Sequence, residues 1–366
     1  MRTWSVAPLA AAALAAAGAS GGAALADSGL SISGPHVHAN LAVYFVHGTS
    51  APGPVPLTLQ EALDKGQVQV VETGQVNELQ IENTGTEQVF IQAGDIVKGG
   101  RQDRVLTVSF LLPPKSGRVP IASFCVEQGR WSARDKEDQA KFSSAGEAMP
   151  SREALLAMAK PPAPREPQAG GDPAASNPAV AMRIGREADE VASKQRQVWD
   201  QVAATQKKLS SGLNAPVASP QSASSLQLAL ENDKLKEARG AYVGALQAAG
   251  EKDGDVIGYV VAINGRMNAA NLYPSNALFR KMWSKQLAAA VTEAIGEKPA
   301  GAAAAAPAAP PAPAATEFLA AAEKGKSYER AAAAGARQEV RDADKALFNE
   351  ARKADGTWIH RSYLAK

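Results

Sequence analysis

One run, from Val71 to Trp131, constrains the fold more than any other part of the chain: VETGQVNELQIENTGTEQVFIQAGDIVKGGRQDRVLTVSFLLPPKSGRVPIASFCVEQGRW. Short alternations of apolar and polar residues are separated there by clusters of turn residues, the pattern of half-buried strands joined by tight connections. Glu78 to Ile81 and Gln88 to Ile91 flank Asn83 to Thr86, while Arg104 to Leu112 and Val119 to Glu127 flank Pro113 to Gly117, so two hairpins are predicted. No crossover helix fits between these strands, which argues against a parallel βαβ sheet and for an antiparallel sandwich or barrel-like core.

The flanking sequence adds helices and a little more sheet. Leu41 to Val46 and Val68 to Val71 read as strands, and between them Thr58 and Glu61 form a T-x-x-E capping box for a short helix ending at Gly66. Beyond Trp131 the period changes, and helices are predicted over Ser151 to Lys160, Ala188 to Leu209 and Ser224 to Ala249. Asn264-Gly265 between Asp255 to Ala262 and Arg266 to Leu272 marks a late hairpin. Ser275 or Asn276 then caps a helix whose Leu278, Phe279, Met282, Trp283, Leu287 and Ile295 make an apolar stripe. The alternating Trp358 to Leu364 predicts a final strand joining a sheet begun far upstream. The fold class is therefore α+β: the Val71 to Trp131 unit, the late hairpin and the last strand in one sheet system with flanking helices. Two tracts, 161–178 and 299–315, are too poor in large apolar residues to offset the entropy of ordering and read as flexible insertions.

Arg2, the apolar Val6 to Ala17 and Ala24-Leu25-Ala26 together read as a secretory signal peptide over residues 1–26. Its apolar core is too short and too broken by glycine to span a bilayer, so no membrane span is expected after cleavage, and a secreted or periplasmic product is. The remaining 35–366 reads as a single domain. The balance of 39 Lys and Arg against 37 Asp and Glu gives no basic field of the kind nucleic-acid binders carry. With Cys125 the one cysteine, no intrachain disulfide is available.

Two clusters carry candidate binding chemistry. In Lys98-Gly99-Gly100-Arg101-Gln102-Asp103-Arg104 a glycine pair lies among three cations, a pattern able to hold a phosphate or carboxylate between backbone N–H groups and guanidinium forks. A glycine-kinked hairpin with structural ion pairs is the competing reading. In Phe124 to Trp131, Glu127, Arg130 and Trp131 accompany Cys125, whose carboxylate neighbour and lack of a nearby imidazole suit a buried structural thiol better than a nucleophile. A meander would bring the two clusters together, with Arg104 or Arg101 pairing Glu127 and with Gln102 and Arg130 alongside. Glu72, Glu78, Asp95, Asp103 and Glu127 form a carboxylate pool whose convergence the sequence leaves open. His36, His38 and His47 lack a fourth ligand, so no metal and no cofactor is expected. His360 reads as structural.

The segments ETGQVNELQIEN, GDIVKGGRQDR and FCVEQGRW, with GYVVAINGR and WIHRSYL, resemble the blocks of the ARPP-1 domain, named for its association with ADP-ribosylglycohydrolases and rhodanese-phosphatase proteins. The resemblance implies no established reaction and only a contextual link to ADP-ribose chemistry. Two functions remain open: a non-catalytic binding or scaffolding module with an unknown ligand or protein partner, or an enzyme or sensor for an ADP-ribose-like or other phosphorylated ligand held by Lys98, Arg101, Gln102, Asp103, Arg104, Glu127, Arg130 and Trp131. Burial of these side chains in paired networks would favour the first.

The A-x-A site makes the first prediction: the exported protein begins at or near Asp27. Mass spectrometry of its N-terminus decides this, and an intact Met1 on exported material would contradict it.

Overall fold

Alternation marks strands without choosing their partners, and here strands adjacent in sequence separate into different sheets. The computed structural model describes residues 29–130, 132, 142–159, 178–298 and 308–366. The signal-peptide reading, Trp131 and residues 161–177 of the first tract fall outside them.

The chain opens with β1 (Ser31–His38), β2 (Leu41–His47), β3 (Leu57–Thr58), β4 (Val68–Glu72), β5 (Glu78–Asn83) and β6 (Val89–Ile91). It continues through β7 (Asp95–Gly99), β8 (Arg104–Leu106), β9 (Phe110–Leu112), β10 (Arg118–Cys125) and β11 (Phe142–Ala148). The late strands are β12 (Val256–Ile263), β13 (Arg266–Leu272), β14 (Lys326–Ala331), β15 (Arg337–Asp342), β16 (Ala346–Arg352) and β17 (Trp358–Ala365). They form an eight-stranded sheet β1-β2-β12-β13-β17-β16-β15-β14, a six-stranded sheet β11-β7-β8-β10-β5-β4 and a three-stranded sheet β3-β6-β9. The single sheet system expected from the sequence is thus divided, with the late hairpin and last strand in the large sheet and the central run in the two smaller ones.

The first predicted hairpin fails at its turn. The Asn83 side chain donates to Glu87 O at 2.8 Å and Pro113 O at 3.0 Å and accepts from Gly85 N at 2.9 Å, turning the chain out of the sheet. β5 pairs with β4 and β10 instead, and β6, buried at all three positions, pairs with β3 and β9. The second hairpin is split for a related reason. Arg104 to Leu112 breaks at Thr107 to Ser109, so β8 stays against β10 while β9 crosses to β6.

Local signals hold where they were strongest. Helix α1 (Leu59–Asp64) carries both halves of the capping box, Glu61 N to Thr58 Oγ1 at 3.1 Å and Thr58 N to Glu61 Oε2 at 2.8 Å. Asn264 at φ 51° and Gly265 at φ 73° give the left-handed pair that a two-residue hairpin turn requires between β12 and β13. Helices α2 (Arg152–Ala159) and α3 (Pro178–Leu213) occur near the predicted places. The long helix expected over Ser224 to Ala249 is two, α4 (Leu226–Leu230) and α5 (Asp233–Glu251), because Asn232 leaves the helix to cap α5 through Lys234 N and Leu235 N.

Helix α6 (Asn276–Gly296), capped by Ser275, packs between β12 of the large sheet and β11 of the six-stranded one. Its Trp283 sits 5.3 Å from Phe45 and 5.5 Å from Tyr259, ring centre to ring centre. The end of the second low-complexity tract is not loose. Helix α7 (Ala312–Ala322) begins inside it, Ala315 is fully buried, and the Tyr44 hydroxyl donates to Pro310 O. Alanines that bury little apolar area each still allow a helix to lie close against the outer face of the large sheet. Among the described residues no helix is long and apolar enough to cross a membrane.

Candidate functional site

The β7–β8 turn brings the two sequence clusters together. Gly99 at φ 123° and Gly100 at φ 55° make the reversal, and a Cβ on Gly100 would lie 2.2 Å from the Phe142 ring. The ion pairs differ from the expected set. Arg104, wholly buried, points its Nη2 at Glu72 Oε2 at 3.4 Å and donates from Nη1 to Gln102 O at 3.0 Å. Glu127 takes Arg130 instead, Nε to Oε2 at 2.6 Å, and Arg130 Nη2 also lies 3.7 Å from Asp103 Oδ1. The correction has a geometric cause: Arg130 follows Glu127 around one turn, whereas Arg104, opposite Cys125 across β8 and β10, faces β4 and its Glu72.

The remaining members are also engaged inward. Asp103 accepts from Gly99 N at 3.0 Å and from the hydroxyl of Ser225, the residue that caps α4, at 3.1 Å. Gln102 Nε2 donates to Glu127 O at 2.8 Å, the Arg101 N–H faces Glu72 Oε2 at 3.4 Å, and Lys98 Nζ holds Glu231 at 2.8 Å. The Gly99 and Arg101 N–H groups and the Arg104 and Arg130 guanidinium forks thus face acceptors of the protein itself. Cys125 exchanges backbone hydrogen bonds with the Gln195 amide at 2.9 Å, and burial pushes its thiol up to about 11, as a structural cysteine requires. The three imidazoles lie in separate settings: His36 against Phe45, His38 against Tyr242, and His47 between Ser33 and Asp255.

A second polar region, absent from the sequence reading, surrounds an interior cavity of about 80 Å³. Its floor is the inner face of the large sheet. Asn349, Ser362, Asn271 and Tyr259 are successive cross-strand partners on β16, β17, β13 and β12, so they form one polar row along that face. Its roof is α6, where Gln286, Ala289, Ala290 and Glu293 follow the i, i+3, i+4, i+7 spacing of one helix face. Met149, Leu155 and Met158 supply an apolar side.

Part of this polarity is internally satisfied. The Tyr259 hydroxyl donates to Gln286 Oε1 at 3.1 Å and accepts from Asn271 Nδ2 at 2.6 Å. His360, 3% exposed, bonds Ser109 Oγ through Nδ1 at 3.1 Å and packs against Phe90 and Tyr273. Burial pushes its pKa down to about 3, so the ring is neutral at ordinary pH. Its Nε2 and the Oδ1 of Asn268, also more than nine-tenths buried, have no hydrogen-bond partner among the described residues.

Glu293 stands where the cavity meets the outside. With Arg152 and Asn268 it also lines a neighbouring cleft bordered by Arg266, Glu297 and Lys366, which accounts for the accessible surface it keeps. Burial pushes its carboxyl up to about 7. Bonds from Arg152 N, at 3.2 Å, and from Asn268, with the Arg152 charge, oppose the rise without cancelling it.

The sequence model of the ARG and Rhodanese-Phosphatase-superfamily-associated Protein domain, ARPP-1, matches residues 29–364. The chain belongs to the ARPP-1 family. No curated protein and no solved structure matches it. For this ARPP-1 chain, the match includes every cavity residue named above and both sequence clusters up to Arg130.

Because Glu293 holds its proton more tightly when folded, its contribution to stability is intact below pH 4.5 and is lost as pH rises through about 7. Glu293→Gln keeps the shape and removes the titration. Its stability relative to the parent should therefore rise by up to about 3 kcal/mol between those two pH values. Denaturant unfolding of both proteins across this range checks it, and a constant difference would contradict the assignment.

Proposed function

We propose that the chain is an exported, non-catalytic binding domain whose ligand occupies the interior cavity, and that the Lys98 to Arg130 cluster is structural. The observation that carries this reading is the contrast between the two polar regions. Arg104, Asp103, Glu127 and Arg130 are offset by ion pairs with one another and with Glu72, whereas His360 and Asn268, neutral residues that line the cavity, carry buried atoms, Nε2 and Oδ1, without a hydrogen-bond partner among the described residues, as does Arg152 at Nε. A buried polar atom left unbonded costs about 1–3 kcal/mol, so a fold that keeps three of them on residues lining one cavity is best explained if something else satisfies them.

The alternative, an enzyme or sensor for an ADP-ribose-like ligand, draws support from the family's association with ADP-ribosylglycohydrolases. It requires the Lys98 to Arg130 cations to exchange their carboxylates for phosphate. Export is supported by the A-x-A signal, and the core cluster that links residues of the large and six-stranded sheets supports one domain interrupted by two loops.

A thermal-shift comparison separates the readings, because a ligand of the native state raises the midpoint by mass action. The processed protein should be stabilised by compounds small enough for the cavity and not by ADP-ribose. Stabilisation by ADP-ribose that disappears in Arg101→Ala would overturn the binding-cavity reading in favour of the alternative.

A further inference from the structure

We propose that the cavity recognises a small, uncharged polyhydroxyl molecule no larger than a single sugar ring, an inference that rests on the cavity being the binding site. Its chemistry is neutral and mixed. The row Asn349, Ser362, Asn271 and Tyr259 offers amides and hydroxyls, which both donate and accept, and so do the hydroxyls of a polyol. His360 Nε2 adds a position that donates or accepts according to its tautomer, and Asn268 Oδ1 adds a pure acceptor. Met149, Met158 and Leu364 give an apolar wall for the C–H face of such a ligand.

Other ligand classes fit less well. A phosphate would have Arg152 as its only cation among the cavity-lining residues; the Nε of that guanidinium is unbonded, but Nη1 donates to Ala365 O at 2.7 Å and Nη2 faces Glu153 at 3.5 Å, with the Glu293 carboxyl beside it. The volume of about 80 Å³ exceeds the roughly 15 Å³ that one water requires but lies far below the roughly 300–1,000 Å³ of pockets for drug-sized ligands. An ammonium would pair with Glu293 yet leave the distant His360 and the hydroxyl row without a role.

Three residues control entry. Arg152, Asn268 and Glu293 line both the cavity and the outer cleft, so a ligand passing between the two crosses them. Asn268 is therefore a specificity residue, placed to read a hydroxyl at the mouth through its unbonded oxygen. Ala289, 8% exposed on the roof, is the position where added volume would occupy the ligand's space.

Isothermal titration calorimetry of the processed full chain tests this with ribose, glucose, myo-inositol and glycerol, and with glucose 6-phosphate and butylamine as comparison arms. At least one neutral compound should bind saturably. Ala289→Met should abolish binding while leaving the unfolding midpoint at or above that of the parent, because methionine fills the space without opening the core. Asn268→Ala should weaken binding about tenfold, the loss of one good hydrogen bond, and keeps the test decisive if the methionine variant does not fold. Absence of binding by all four neutral compounds would overturn the inference. Binding of the amine or the phosphate alone, lost in Ala289→Met, would reject the polyol class while keeping the cavity as the site. Neutral-ligand binding unaffected by both substitutions would instead reject the cavity itself.

Discussion

Helix α6 has to fit two neighbours at once, and the rest of the molecule depends on how it does so. Its first half is aromatic and aliphatic: Phe279 and Trp283 stack at 5.6 Å, and the Trp283 indole N–H donates to Gln247 O at 2.9 Å on α5. Gly250 permits that approach, since a Cβ there would stand 2.4 Å from Trp283 Nε1. On the other side Lys285 reaches the buried Asp95 of β7 at 2.6 Å and ties the helix to the six-stranded sheet. Further along, Gln286, Ala289, Ala290 and Glu293 face the large sheet with side chains too small or too polar to close the gap. The cavity follows from that change of chemistry along one helix.

Two polar regions in one interior resolve the burial problem in opposite ways. Around the β7–β8 turn the charges neutralise one another, and removing a single partner from such a set typically costs about 3–5 kcal/mol because the other is stranded. That arrangement joins β4, β8, β10 and the start of α4 around one point. Around α6 the groups are mostly neutral. Burial holds His360 unprotonated and Glu293 close to its midpoint near 7, and His360 Nε2 and Asn268 Oδ1, on residues that line the cavity, have no hydrogen-bond partner among the described residues.

Sequence pattern revealed elements better than partners. The Thr58 capping box, the Asn264-Gly265 turn, the Ser275 cap and the last strand were legible because each depends on a few consecutive residues. Strand pairing was not, because the short runs of β5 and β6 do not name their partners, and the Asn83 contacts that turn the chain between them reach Glu87 and the distant Pro113. The glycine pair and cations of Lys98 to Arg104 had the composition of an anion site, yet the partners of Arg104, Asp103 and Lys98, namely Glu72, Ser225 and Glu231, are distant in sequence and no local pattern shows them. The cavity had a signal beside the stripe: one face of α6 carries the small or polar Gln286, Ala289, Ala290 and Glu293, and Asn271, Asn349 and Ser362 occupy inward positions where strands normally carry apolar residues. Joining those four segments required the order β12-β13-β17-β16, which no local pattern contains.

The claim on which the account turns is that His360 Nε2 and Asn268 Oδ1, on residues lining one cavity, have no hydrogen-bond partner within the protein. A crystal structure of the protein, refined to a resolution at which bound solvent and small molecules are placed, tests it directly. The account requires an open cavity with ordered density, solvent or ligand, hydrogen-bonded to both atoms. A collapsed interior in which His360 and Asn268 are bonded to neighbouring side chains would contradict it.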